Sequence, residues 1–204
     1  MNLLDILGLG FGAAWTSGIN LYATVAVLGL LQHYQFAHLP GALRVLDNPW
    51  IIGVALCLYD VEFAADKIPY VDTVWDAVHT FIRVPAGAIL ALSATADLNP
   101  AVRVVALLVG GGLALSTHGT KATARAAANT LPEPVTNVAL WLVEDVIAIG
   151  GALLAVFHPA AILAVIVVFL LLLIWLLPKI IRRLRRTLAN ARNLLTGRTL
   201  AADS

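Results

Sequence analysis

Charge is what this sequence has least of. Only 12% of its 204 residues are Asp, Glu, Lys or Arg, about half of what a soluble globular chain carries. With 60% hydrophobic residues and a mean hydropathy of +0.89, that shortage excludes a disordered chain and a water-soluble enzyme. The lone cysteine, Cys57, cannot close an internal disulfide, which excludes a secreted disulfide scaffold and leaves the redox compartment unmarked. Catalytic signatures are missing too: there is no H-E-x-x-H, G-x-S-x-G, P-loop or G-x-G-x-x-G. The first residues, Met1-Asn2-Leu3-Leu4-Asp5, have no basic n-region or small-residue cleavage site, so they are expected to belong to the mature protein. The net charge of +1 says little, because the bases are unevenly placed.

What the chain does have is apolar blocks long enough to cross a bilayer, which takes about 20 residues. Six are expected: Leu3 to Leu31, Pro49 to Asp66, Tyr70 to Thr95, Ala101 to Asn129, Pro134 to Phe157 and Ala160 to Leu177. The expected architecture is an all-α, polytopic membrane bundle over residues 1–178, followed by a basic amphipathic tail over 179–204. The third block is unusual. Its stretch Tyr70 to Arg83 carries Val71, Val74, Trp75, Val78 and Ile82 on one helical face and Asp72, Asp76, His79 and Arg83 on the other. Such a segment either lies along the interface or has its polar face lining something wet.

Lysine and arginine placement puts the tail in the cytoplasm. It holds Lys179, Arg182, Arg183, Arg185, Arg186 and Arg192, with Ile180, Ile181, Leu184 and Leu188 on one face, so it should lie along anionic inner-leaflet lipid. An even number of spans then places the N-terminus inside as well, with cytoplasmic turns holding Lys67 and Lys121 to Arg125.

Two stretches also match two others. Val54-Ala55-Leu56-Cys57-Leu58-Tyr59-Asp60 aligns with Val138-Ala139-Leu140-Trp141-Leu142-Val143-Glu144, each after a helix-starting proline. Gly12 to Gly18 aligns more loosely with Gly112 to Gly119. A three-plus-three repeat over about 1–96 and 100–178 would be inverted in topology, with broken helices at the binding site, as in many small transporters.

Several residues carry a cost that needs a reason. Asp60 lies about 16 Å into the second span, Glu62 follows, and Glu144 and Asp145 reach the matching depth in the fifth. A carboxylate there costs at least ~2.5–3.5 kcal/mol on insertion scales. Low dielectric and like-charged neighbours should raise the pKa values of these groups, as a proton relay or cation site requires. The plain reading is that they cross-link helices through Thr16, Asn20 or Asn137. The run Thr16-Ser17-Gly18-Ile19-Asn20 interrupts the first span with groups that either coordinate an ion or pack helices closely. His118, Lys121 and Arg125 share a face, suited to an anion, to Asp60 and Glu144, or to positive-inside anchoring. Asp72, Asp76 and His79 form no metal set, since no second ligand cluster lies at ligand spacing.

Three blocks carry a resemblance. They are Thr16-Ser17-Gly18-Ile19-Asn20-x-Tyr22, the long run from Glu62-Phe63-x-Ala65-Asp66-Lys67-Ile68-Pro69 through Trp75-Asp76-x-x-His79-Thr80-Phe81-Ile82-Arg83-x-Pro85, and Pro132-Glu133-Pro134-x-x-Asn137 with Glu144-Asp145. The chain up to its basic tail resembles a family of small bacterial integral membrane proteins recorded only as a domain of unknown function. The resemblance implies a multi-pass protein of the bacterial inner membrane, and no substrate or reaction. Since the blocks hold most of the costly residues, those residues are expected to form one site.

The leading expectation is a small secondary transporter or channel for an ion or solute, with no cofactor, metal, catalytic step or nucleic-acid partner. Asp60, Glu62, Glu144 and Asp145 would couple to protons or cations, with Thr16, Ser17, Asn20 and Asn137 as further ligands. Asp76, His79, Arg83, His118 and Lys121 would line or gate the pathway, while Arg182, Arg183, Arg185 and Arg186 meet lipid. So small a chain is expected to form a homodimer. The alternative is a non-transporting scaffold or lipid-interaction protein with structurally paired charges; an enzyme acting on lipid headgroups through Asp72, Asp76 and His79 ranks third.

Overall fold

A computed structural model describes residues 1–66, 68, 71–128 and 134–195, without the side chains of 72, 73, 126–128, 134–139, 180, 181 and 183–195. Every regular element among them is helical: α1 (Leu3–Ile19), α2 (Leu21–His33), a 3-10 helix (Gly41–Asp47), α3 (Pro49–Ala65), α4 (Val71–Ala94), α5 (Pro100–Ala128), α6 (Pro134–Phe157) and α7 (Pro159–Leu195). Proline opens four of them, where its missing N–H costs nothing. Asn48 and Asn99 cap α3 and α5 by accepting from Trp50 N and Ala101 N. Asn2 and Asp5 cap α1 reciprocally, at 2.9 and 3.0 Å.

The first apolar block is not one span. It breaks at Asn20, whose backbone is extended (φ −144°, ψ 103°). Its N–H donates to Thr16 O and closes α1, while its side-chain oxygen accepts from Ala23 N and opens α2. The chain then turns back. Along α4, Arg83 reaches Gly18, Gly87 lies at Ser17, and Ala94 meets Gly10, so α1 and α4 run in opposite directions. Tyr22 bonds His79 near the start of α4, and Gly29 lies against Leu46 beyond the far end, so α2 runs with α4. Counting apolar residues measures length and not direction, which is why the block reads as a single crossing. At 17 and 13 residues, α1 and α2 are roughly 25 and 20 Å long, each short of a ~30 Å hydrocarbon core.

This turn has two consequences. The N-terminal end of α1, where Gly8 meets Pro159, lies at the end of the bundle opposite Lys121 and Arg125, so the expectation that both are on one side of the membrane is corrected. In addition, α1 and α5 run the same way, from Ala14 at Gly110 to Ile19 at Lys121, whereas α3 and α6 run in opposite directions. One matched pair is therefore parallel and the other antiparallel, and a single inverted repeat does not relate them.

The remaining blocks correspond to one helix each. Among the described residues four helices are long and apolar enough to cross: Val74–Ala94, Pro100–Arg125, Leu140–Phe157 and Pro159–Lys179, or five if the 3-10 helix and α3, bent by 75°, form one span. The stretch 71–83 is continuous with the rest of α4, and its amphipathicity points inward. Asp76, His79 and Arg83 are buried while Val74, Val78, Phe81 and Ile82 are exposed, the arrangement of a helix with an apolar solvent outside.

Close packing centres on α1, which buries every residue from Gly12 to Ile19. A Cβ at Gly10 would lie 2.9 Å from that of Ala94, and one at Gly18 would overlap Thr117 and the Ala114 backbone. Small residues here let helix backbones approach, as in membrane interiors.

The chain divides into two units, residues 1–164 and 165–204. The second is the continuing α7, whose Val167, Val168, Leu171, Leu172, Ile174 and Trp175 are all exposed. There Lys179 Nζ lies 3.0 Å from the centre of the Trp175 ring, and Arg182 Nε donates to Pro178 O. The expected lipid-contacting side chains of Arg183, Arg185 and Arg186 lie outside the described residues.

Candidate functional site: a buried ionic network at the helix break

The break at Asn20 frees carbonyls at the end of α1, and two buried cations take them. Lys121 Nζ donates to Ile19 O at 3.0 Å, and Arg83 Nη1 to Gly18 O at 3.5 Å. Cations at a helix C-terminus also complement its dipole. Both bases come from helix faces written in the sequence: Asp76, His79, Thr80 and Arg83 follow each other around α4, and His118, Lys121 and Arg125 around α5.

Acids from α3 and α6 answer them. Glu62 Oε1 accepts from Arg83 Nη2 at 2.5 Å and from Lys121 Nζ at 3.2 Å, with Glu62 and Arg83 both wholly buried. Arg125 donates through Nε to both Glu144 oxygens at 3.1 and 3.0 Å, through Nη2 to Glu144 Oε2, and through Nη2 to Asp66 Oδ2 at 2.7 Å. Lys121 Nζ is also 3.5 Å from Glu144 and 3.8 Å from Asp66. Asp76 Oδ1 lies 3.6 Å from Arg83 Nη1. Removing these ions from water costs several kcal/mol each, offset only by dense pairing of this kind.

One histidine extends the network, its partners fixing its proton, and a second lies nearby. Arg83 Nη1 can only donate, so His118 Nδ1, 3.0 Å away, accepts; Nε2 then carries the proton, toward Asp76 O at 3.0 Å and Thr80 Oγ1 at 2.8 Å. His79 Nδ1 donates to Trp75 O at 2.8 Å, and its Nε2 pairs with Tyr22 OH at 3.0 Å. The His118 ring is neutral in this arrangement. Asp145 is held differently, by Asn20 Nδ2 and Tyr59 OH, each at 3.0 Å.

The balance is uneven. Among the described residues four carboxylates (Glu62, Asp66, Asp76, Glu144) lie within ion-pair distance of three permanent cations (Arg83, Lys121, Arg125), and a fifth, Asp145, is held by neutral donors. Among the described residues Glu62 Oε2, Asp66 Oδ1 and both Asp76 oxygens accept no hydrogen bond, and Arg83 Nε and Arg125 Nη1 make none. Asp66, one residue past α3, is pushed up by burial, but the charges of Lys121 and Arg125 outweigh this and hold its carboxyl below the usual range. Among the described residues no three His, Cys, Asp or Glu side chains are placed to hold a metal.

The sequence-derived residues divide accordingly. Glu62, Glu144, Asp76, Arg83, His118 and Lys121 meet in one network, with Asn20 and Asp145 beside it, while His79 bonds Tyr22 OH and the Trp75 carbonyl instead. Asp60 does not: it is exposed on α3. Depth along α3 favours it, but position around α3 decides, and at about 100° per residue Glu62 points about 200° away from Asp60. Thr16 and Ser17 are buried but donate back into α1, to Gly12 O and Ala14 O at 2.9 and 2.8 Å, and serve packing. The side chains of Asn137 and Asp72 lie outside the described residues. Asp66, Tyr22 and Tyr59 belong to the site unforeseen; the four-residue interval from Glu62 to Asp66, matching that from Lys121 to Arg125, was the available signal for the first.

The residues that build this network lie within the stretch matched by one family model, which covers residues 7–179. The chain belongs to this family. It is described as Domain of unknown function (DUF4126). No curated protein and no solved structure matches the chain. Within the family's matched region fall α2 to α6, nearly all of α1 and the apolar part of α7, so the network and its helices belong to the family domain rather than to the tail.

Proposed function

We propose that this family member is a small, non-enzymatic secondary transporter or channel of the bacterial inner membrane, moving a small ion or solute. Its buried network exchanges protons or small cations. The observation that carries this reading is a set of buried carboxylate oxygens, on Glu62, Asp66 and Asp76, that accept no hydrogen bond among the described residues. A proton or cation is what such oxygens accept at least cost. Glu62 takes the coupling role expected of Asp60, with Glu144, Asp145 and Asp76 beside it, and the helix break at Asn20 sets them at the end of a short helix, as broken helices do in transporters.

The test is ion flux into proteoliposomes containing a pH-sensitive dye. Wild type and Asp60→Asn should conduct, and Asp76→Asn should lose most of the flux while still inserting. Equal flux in Asp76→Asn would overturn the assignment.

One observation favours the second reading, a scaffold or lipid-interaction protein: each of Arg83, Lys121 and Arg125 is already paired with carboxylates. In that case no ion drives flux, and loss of Arg182 and Arg183, which would contact anionic lipid, impairs function more than loss of Asp76. Homodimer formation belongs to the same proposal and is read by mass measurement in detergent.

A further inference from the structure

Asp145 faces a second environment besides the network. It lines a cleft of about 470 Å³ between α3 and α6, together with Tyr59, Phe63, Trp141, Val146 and Gly150. This volume is within the range of small-molecule sites. Among the described residues Asp145 is the single charged one on its wall. Its two hydrogen bonds come from neutral donors, Asn20 and Tyr59, and among the described residues no base lies within ion-pair distance of it. Phe63 and Trp141 stand edge to face with ring centres 5.0 Å apart, forming an aromatic wall beside the carboxylate.

We propose that this cleft binds a lipophilic organic monocation, its charge at Asp145 and its apolar body against Trp141 and Phe63. The proposal deepens the transporter reading by naming a substrate class, and rests on it for the role of the site. A carboxylate facing an apolar cleft is costly unless a cation meets it. One carboxylate and two neutral side chains supply too few oxygens for a hard metal ion. Aromatic faces add attraction for an organic cation and none for a neutral chain. A second cleft provides the contrast. The one between α2, α3 and α4, about 530 Å³, is lined among the described residues by Leu21, Tyr22, Val25, Trp50, Ile51 and other uncharged residues, so it offers aromatic faces but no carboxylate to pair with a cation.

The experiment measures tetraphenylphosphonium binding to the full-length protein in nanodiscs of zwitterionic phosphatidylcholine, with triphenylphosphine oxide as the uncharged probe. Wild type should bind the cation saturably, and Asp145→Asn should weaken binding about tenfold or more, as expected for a desolvated charge pair. Gly150→Phe gives an independent variant: a Cβ at Gly150 meets nothing within 4 Å, so the ring fills the cleft with Asp145 intact and should abolish binding. Trp141→Phe should retain most of the affinity. Cation binding unchanged in Asp145→Asn and Gly150→Phe, or equal binding of the uncharged probe, as for a groove that merely holds acyl chains, would overturn the proposal. Since binding is read without flux, Asp145-dependent binding in a protein that conducts nothing preserves the site and removes the transporter. Flux without such binding does the reverse.

Discussion

The two ends of the unit formed by residues 1–164 are held together by opposite means. At one end Gly8, Gly10, Leu9, Leu39, Leu43 and Ala94 meet in apolar contact around the 3-10 helix. At the other, Glu62, Arg83, Lys121, Arg125 and Glu144 are locked by ion pairs with hardly any exposure. The apolar end gains from proximity alone, and loses by increments when an atom is added or removed. The ionic end has already paid a large desolvation cost, and each member depends on the others being present. Stability at the first end is graded; at the second it is conditional.

The largest effect should come from breaking the ionic end with one substitution. Arg83→Met leaves Glu62 buried without its shortest partner and should cost about 3–5 kcal/mol, measured by unfolding in mixed micelles. Adding Glu62→Met should recover much of the loss, and a double mutant no better than the single would contradict mutual dependence. Next comes close packing beside the ionic end. Gly18→Ala places a Cβ against Thr117 and the Ala114 backbone, and should cost about 1–3 kcal/mol as overpacking does. A smaller effect is expected from acid. The Asp66 carboxyl is held below its ordinary value of 3.8, so its contribution is complete above that value and is lost as pH falls through the lower, folded-state value. Asp66→Asn should therefore unfold with a weaker acid dependence than wild type, and identical pH profiles would show that Asp66 contributes nothing. The smallest effect belongs to exposed Asp60, where Asn should change stability by less than about 0.5 kcal/mol.

Helix boundaries were largely legible in the sequence because prolines mark them: Pro49, Pro100, Pro134 and Pro159 each open a helix. The polar face of α4 was legible for the same local reason, since Asp76, His79 and Arg83 recur at helical spacing. What the sequence hid is relational. Glu62 and Asp60 have the same composition signal and nearly the same depth, and only the neighbours around α3 separate them. Lys121 and Arg125 at a helix end satisfy both the positive-inside rule and an ion-pair role, so their position does not distinguish the two. The turn at Asn20 was visible as a polar interruption, but its direction depends on contacts with α4 that no local pattern encodes. Labelling tests that direction. In a Cys57→Ala background, Asn2→Cys and Gln35→Cys should react from one side of the membrane and Thr123→Cys from the other; a single first span would put Asn2 and Gln35 on opposite sides.

The doubled cap at Asn20 also bears on the order of assembly. α1 and α2 are made before α4, α5 and α6, yet neither is long enough to cross a ~30 Å hydrocarbon core by itself. Their shared turn finds its partners, Asp145, Arg83 and Lys121, only on helices made later. The turn between α1 and α2 thus depends on side chains of α4, α5 and α6, which follow it in the chain.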